Sequence, residues 1–227
     1  METPRPWIVT PHQPIERHEE NLWSVRSPIP ESKGMRRMMM ARLNDGQIVF
    51  YNGIPLEDAA LAELRAWGKP TLVILPHRSH VIDAHAFRER LELKSFAPEA
   101  ERTEIEKRVP VDGSTHQLKL DDSVWVESLE GSKNSEPILV VKSGGRTSLI
   151  FADVFMNIPA GAGRPELAGG PKITDMWKRS AMADAKTVRA HFERLAALPG
   201  LHRLIPSHGL IYEGDAASVM RQVAATL

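Results

Sequence analysis

The chain has no cysteine, no net charge and no long apolar run, and each absence removes a class of function. Without cysteine there is no disulfide framework, no thiolate nucleophile and no Cys-based zinc site, so any transition metal must be held by imidazole and carboxylate. Acidic and basic residues balance at 29 each, so no net field draws the chain to nucleic acid or to an anionic membrane. No apolar stretch approaches the roughly 20 residues that span a bilayer. Met1-Glu2-Thr3-Pro4-Arg5-Pro6 lacks the apolar segment of a secretory signal. The expectation is a cytoplasmic protein whose partner is a small-molecule substrate or ligand, with no nucleic acid and no membrane. Its oligomeric state stays open.

What is present suits one α/β domain spanning residues 1–227, with a hydrophobic fraction of 42%. Asn21 to Val25 reads as a short strand. Arg37 to Leu43 and Gln47 to Tyr51 flank Asn44-Asp45-Gly46, a hairpin signal. Leu56, Ala59, Leu61, Leu64 and Trp67 have helical spacing, and Gly68-Lys69-Pro70 stops that helix before the apolar run Thr71 to Leu75. A helix follows from Asp83 or Ala84 to Leu93, then a short strand at Ser95 to Ala97 and a polar helical segment at Glu99 to Arg108. Asp122 to Leu129, Pro137 to Val141 and Thr147 to Phe151 are strand candidates, the last two joined by a hairpin turn at Ser143-Gly144-Gly145-Arg146. Residues 158–173, rich in glycine and proline, read as a long surface loop. Asp184 to Leu198 is an amphipathic helix, Leu201 to Ile205 a strand, and Asp215 to Leu227 a closing helix with Asp215 near its N-cap. Meander strands with interspersed helices fit a sheet-on-sheet core covered by helices.

Polar residues follow apolar strands at three places: His80 and His85, Asp153, and His208. Rigid strand ends beside open loops are where enzymes assemble sites. Each residue also has a plainer reading, as a helix cap or a hydrogen-bonded strand end. Other signals are explained locally. Arg88 and Glu92 stand four residues apart on a solvated helix face. Ser79 and Ser207 lack the Gly-x-Ser-x-Gly elbow of a serine hydrolase. The five tryptophans are scattered and read as packing residues.

His80-Val81-Ile82-Asp83-Ala84-His85, at a strand-to-helix junction, resembles the His-x-His-x-Asp-His signature of the metallo-β-lactamase superfamily with its middle removed. Ile82 stands in the second histidine position and Ala84 in the aspartate position. The resemblance runs over nearly the whole chain. Glu130-Gly131-Ser132-Lys133-Asn134-Ser135 is similar to the Gly-His turn, with Ser132 in the histidine position. Leu149 to Phe155 is similar to the strand carrying the bridging aspartate, here Asp153. Leu204-Ile205-Pro206-Ser207-His208-Gly209 is similar to the final Gly-His-Gly motif. Asn21-Leu22-Trp23, the hairpin at Asp45-Gly46 and the insertion Pro76-His77-Arg78-Ser79 resemble a branch of the superfamily with a degenerate metal-binding motif.

The resemblance implies a four-layer αββα sandwich. It also implies which metal positions survive. The first metal site keeps His80 but has lost its other imidazoles at Ile82 and Ser132, too few donors for a metal. The second keeps His85 and His208, can use Asp153, and has lost its own aspartate at Ala84. Two imidazoles and a carboxylate suit one Zn²⁺, Fe²⁺ or Mn²⁺. His77 and Asp83 are neighbours that a shifted loop brings into play. Two functions stay open. One is a mononuclear metal-dependent hydrolase of an ester, thioester or phosphoester, with His85, Asp153 and His208 on the metal, His80 at its edge, and His80 and Asp153 as catalytic groups. The other is a non-catalytic binding or scaffold protein that holds no metal and uses the former cleft for a small ligand or partner.

Overall fold

The computed structural model describes residue 3, residues 5–162 and residues 165–227, so Met1, Glu2 and Pro4 of the N-terminal reading and Gly163 of the loop reading lie outside the described residues. The chain is α/β and divides into two compact units, Met1–Val126 and Glu127–Leu227.

In the first unit, β1 (Glu16–Glu19), β2 (Leu22–Pro28), β3 (Met35–Arg42) and β4 (Gln47–Tyr51) form an antiparallel meander. After α1 (Asp58–Trp67) the pairing turns parallel through β5 (Lys69–Ile74), α2 (Ala84–Leu91), β6 (Lys94–Ala97), α3 (Arg102–Ile105) and β7 (Gly113–Ser114). The switch has a simple cause. Asp45-Gly46 allows a tight return, with Gly46 at φ 85° and the Asp45 carboxylate accepting the Gln47 amide at 3.0 Å, whereas a parallel neighbour needs a crossover. The core joins Met38 and Met40 of β3 to Phe50, Val73, Leu75, Leu61, Leu64 and Phe87.

Helix α2 ends earlier than its apolar pattern predicts. Glu92 is its C-cap in the left-handed region at φ 54°. That turn takes Glu92 off the helix face, and Arg88 instead bonds Asp112 at 2.9 Å. The expected Arg88–Glu92 pair is therefore replaced by a tertiary one.

In the second unit, β8 (Val124–Ser128), where the chain passes from one unit to the other, edges a five-stranded sheet. Its further strands are β9 (Pro137–Ser143), β10 (Arg146–Phe151), β13 (Leu201–Pro206) and β14 (Tyr212–Glu213), in the order β14-β13-β10-β9-β8. Strands β9 and β10 form the expected hairpin, and β10 pairs parallel with β13. The helices are α4 (Asp175–Ser180), α5 (Ala185–Ala196) and α6 (Ala216–Ala224), with α5 against α6. Asp184 and Asp215 cap α5 and α6, accepting amides of Lys186 and Ser218. Residues 158–173 are not a simple loop. β11 (Met156–Ile158) and β12 (Gly170–Lys172) pair antiparallel and close its base. Pairing satisfies backbone groups that a loop of this length leaves to water.

Candidate functional site

The first unit sets its candidate residues on the loop after β5. His77 is buried and starts a single 3₁₀ turn, Arg78–His80, by accepting the Ser79 amide on its Nδ1 at 3.2 Å. His80 is half-buried, and its Nδ1 lies 2.9 Å from the Asn52 side-chain oxygen. Asn52 follows β4 in the left-handed region at φ 67°, a conformation that asparagine tolerates better than most residues. Its side-chain NH₂ donates to the Arg37 carbonyl at 3.0 Å. The two imidazole rings meet edge to face with centroids 4.3 Å apart.

Glu101 pins this turn from the side. Its carboxylate accepts the Arg78 backbone amide at 3.1 Å and the Arg78 guanidinium twice at 2.8 Å. Burial by itself pushes the Glu101 carboxyl up. The Arg78 hydrogen bonds and charge outweigh it and hold the group below its ordinary value.

Three nearby positions serve the fold. Asp83 is buried in ion pairs with Arg36 and, at 3.4 Å, Arg5. A carboxylate held this way balances buried guanidinium charge and is not offered to a cleft. Ala84 is fully buried in the apolar core, and Ile82 is half-buried. His85 stands in the first turn of α2, half-buried. Among the described residues, no hydrogen bond, ion pair or ring contact involves its side chain.

The second unit builds its candidate pair from parallel strands. The β10–β13 register sets Phe151 opposite Pro206. Asp153 and His208 each follow two residues later, so parallel pairing delivers both to the same sheet end. The Asp153 Oδ1 and His208 Nε2 atoms are 3.4 Å apart, with the side chains 22% and 18% exposed. Glu136 holds the carboxylate-bearing loop: one of its oxygens accepts the amides of Ala152, Asp153 and Val154, each at 3.1 Å. The other accepts the Trp177 indole N–H at 3.3 Å. Glu136 is fully buried, and three amides aimed at one oxygen are what a buried carboxylate requires.

The His208 loop is fixed from both sides. Ser207 donates its amide and its hydroxyl to the Phe151 carbonyl, at 2.9 and 3.0 Å. Gly209 has φ +102°, and a Cβ there would lie 2.2 Å from the Asn157 carbonyl oxygen. That oxygen instead accepts the Leu210 amide at 2.7 Å. Only glycine fits so close an approach at that φ.

Ser132 turns its hydroxyl onto the Leu129 carbonyl at 2.9 Å, and so completes its own turn. A separate cleft of about 340 Å³ on α5 is lined by Glu130, Lys186, Thr187, Ala190, His191 and Arg194. None of the residues predicted from the sequence lines it. Within it, burial first and the Arg194 charge second hold His191 below the ordinary imidazole value.

The structure thus joins His77 to His80 in one unit and Asp153 to His208 in the other. It adds Asn52, Glu101 and Glu136, which sequence reasoning missed. For Asn52 a signal existed, since Asn-Gly directly after an apolar strand marks a turn that tolerates positive φ. Glu136 carries none, because an acid preceding a strand is ordinary.

This fold is that of the metallo-β-lactamases. DIM-1 metallo-β-lactamase, in a crystal structure of the protein exposed to ceftazidime, matches with a TM-score of 0.64 at 15% identity, covering 96% of this chain and 98% of that one. A metallo-β-lactamase from Pontibacter korlensis gives 0.60 at 12% identity, over 94% and 99% of the two chains. FIM-1 from Pseudomonas aeruginosa, in its mono-zinc form, gives 0.59 at 12% identity, over 94% and 96%. No protein-family model matches the sequence, and no curated protein matches it. At these identities the likeness is one of fold.

Proposed function

We propose that residues 1–227 form one metallo-β-lactamase-like domain with a degenerate, mononuclear centre, acting as a metal-dependent hydrolase of an ester, thioester or phosphoester. The ligands are His85, Asp153 and His208, with His80 beside them. The observation that carries the reading is the Asp153–His208 pair. Two donors each about 2.0–2.1 Å from a tetrahedral zinc stand roughly 3.3–3.4 Å from each other. The Oδ1–Nε2 separation of 3.4 Å is that edge. The pair therefore fits Zn²⁺, Fe²⁺ or Mn²⁺, while Ile82, Ala84 and Ser132 supply no donor for a second ion.

When bound, such an ion supplies Lewis-acid polarisation. The chain's own groups do the rest. His80 would hydrogen-bond the water or the substrate. Glu136, through the amides of residues 152–154, keeps the Asp153 carboxylate in place. Ser207 and Gly209 fix the backbone of the loop that carries His208.

The test is metal content after purification without added metal, and again after supplying each ion. About one equivalent of zinc, iron or manganese, lost in both His85→Ala and His208→Ala, is expected. Trace metal under both conditions sinks the reading. One observation favours the second function, a metal-free binding protein: Ala84 and Ser132, at two lost ligand positions, now serve the core and a turn. Thermal stabilisation by metabolites but by no divalent ion is the outcome that selects it.

A further inference from the structure

We propose that the cleft on α5 binds a small molecule carrying an oxyanion, a phosphate or carboxylate group, held by the His191 Nε2–H, the Arg194 guanidinium and the Lys186 ammonium. The starting point is a backbone group whose role is fixed. The Glu130 amide can only donate, and it meets the His191 Nδ1 at 3.2 Å. Its position is fixed as well. Gly131, next in the chain, has φ +76°, and a Cβ there would lie 2.7 Å from the Asp184 carbonyl oxygen and 2.8 Å from the Val188 nitrogen. The Gly131 carbonyl accepts the amides of Ala183 and Asp184 at 2.8 and 3.0 Å. The turn is therefore seated directly on α5, with the Glu130 amide against the ring.

Nδ1 thus carries the lone pair, and a neutral ring holds its proton on Nε2. Among the described residues, the polar group that meets Nε2 is the Arg194 Nη2, 3.3 Å away. A guanidinium has donors only. Two N–H groups therefore face each other with no acceptor between them. The other tautomer does not relieve this. It would set an N–H against the Glu130 amide, and the Glu130 carboxylate, 3.7 Å from Nδ1, lies beyond hydrogen-bond reach. Protonation would only add a second N–H, and burial, then the Arg194 charge, hold the ring below its ordinary value. The His191 side chain is 0% exposed, and a buried donor left unmet is costly.

An oxyanion supplies what is missing, because one oxygen has lone pairs enough to accept from His191 and Arg194 together. Arg194 gives its Nη2 to Glu127 at 3.0 Å. Among the described residues its Nη1 and Nε have no partner, and its approach to the exposed Glu130 carboxylate is a loose 3.7 Å. Lys186, Ala190 and Arg194 follow one another at four-residue steps on α5 and all line the cleft. The small Ala190 side chain leaves room between the two cations. Lys186 is exposed, and among the described residues its ammonium makes no hydrogen bond or ion pair. The end of α5 itself is not the attraction: Asp184 accepts the Lys186 amide and the Thr187 hydroxyl. A volume of about 340 Å³ suits a ligand of metabolite size.

The test is ring-¹⁵N histidine NMR on the full chain at about pH 7.5, above the ordinary imidazole pKa near 6.5, with His191 assigned by its loss in His191→Gln. Sodium phosphate and sodium acetate are titrated against sodium chloride at equal ionic strength. Before any addition His191 is expected to be protonated on Nε2. Phosphate or acetate should then shift its ring nitrogens along a saturable curve in the millimolar range, while chloride leaves them in place. The anion that binds more tightly identifies the group. Arg194→Gln should weaken binding about 10-fold or more, since it removes a charge-assisted partner. Lys186→Gln should weaken it about 2- to 5-fold, as loss of an exposed charge does. Lys33→Gln, at an exposed cation of the first unit, should change nothing.

His191 protonated on Nδ1 overturns the proposal, as does a saturable shift with neither anion. So does Arg194→Gln that binds as wild type, or Lys33→Gln that weakens binding as much as Lys186→Gln. The result stands apart from the hydrolase reading, since none of His80, His85, Asp153 and His208 lines this cleft. Anion binding by protein that takes no metal would refute that reading and leave the α5 site standing.

Discussion

The two units hold their candidate residues by different physics. In the first, His77 and His80 each meet a neutral group, the Ser79 amide and the Asn52 side-chain oxygen. Charge is kept to one side there, in the Arg78–Glu101 and Arg36–Asp83 pairs. In the second, one buried carboxylate, Glu136, gathers three consecutive amides and an indole beneath Asp153. A neutral bond gives direction, and losing one leaves a single donor or acceptor unsatisfied. A buried carboxylate gives rigidity, and removing it strands several donors at once. Substitutions around the first unit's histidines should therefore redirect a ring, and those at Glu136 should alter whether the loop is held at all.

Removing the central acids gives the largest effect. Glu136→Ala leaves three buried amides and the Trp177 indole without their acceptor and is expected to cost about 4 kcal/mol or more. Asp83→Ala leaves Arg36 buried without its partner and is expected to cost roughly 3–5 kcal/mol, at the lower end because Arg5 on the other side of the carboxylate is 29% exposed. Denaturant unfolding measures both. An effect at Glu136 below about 1 kcal/mol removes the contrast between the units.

Gly209→Ala tests the loop itself. The new Cβ meets the Asn157 carbonyl at a φ of +102°, and a destabilisation of about 1–3 kcal/mol is expected. The His208 ring resonances should move with it. A variant with unchanged stability and an unmoved His208 shows that the loop has room the contact denies.

The smallest effect is in the pH dependence, and it again separates the units. Burial, then the Arg194 charge, depress the folded pKa of His191, against the raising influence of Glu130 and Glu127. Between that depressed value and the ordinary value near 6.5 the unfolded chain binds the additional proton. This contribution is full above about pH 6.5 and declines as the pH falls below it. Glu101 is also depressed, because Arg78 outweighs the raising effect of burial. Its contribution is full above about pH 4.3 and is lost as the pH falls through its folded value. Acid should thus weaken the second unit before the first. Melting temperature against pH for wild type and His191→Gln checks this: the variant should lose less between pH 6.5 and 5. Parallel curves for the two proteins would contradict it.

Much of the fold was legible because its signals are local. Asp45-Gly46 marked the β3–β4 turn, Asp184 and Asp215 marked two helix starts, and the apolar runs at Thr71, Pro137 and Thr147 marked buried strands. The Gly/Pro-rich stretch at 158–173 reads as loop from end to end because composition does not reveal that Met156–Ile158 finds a partner in Gly170–Lys172 at its base. Likewise, the Arg88–Glu92 spacing suited a helix face until Glu92 left the helix.

By itself the sequence determined what cannot happen. With no cysteine, any transition metal has to be held by imidazole and carboxylate. It also determined which strand ends carry histidine or aspartate. The tertiary structure decided how those residues are held. Asp153 meets His208 because β10 and β13 pair in parallel with Phe151 opposite Pro206. His80 meets the side-chain oxygen of Asn52, 28 residues earlier in the chain. Register and hydrogen-bond polarity arise between segments distant in sequence, and a one-residue slip in either strand would turn the same side chains to opposite faces.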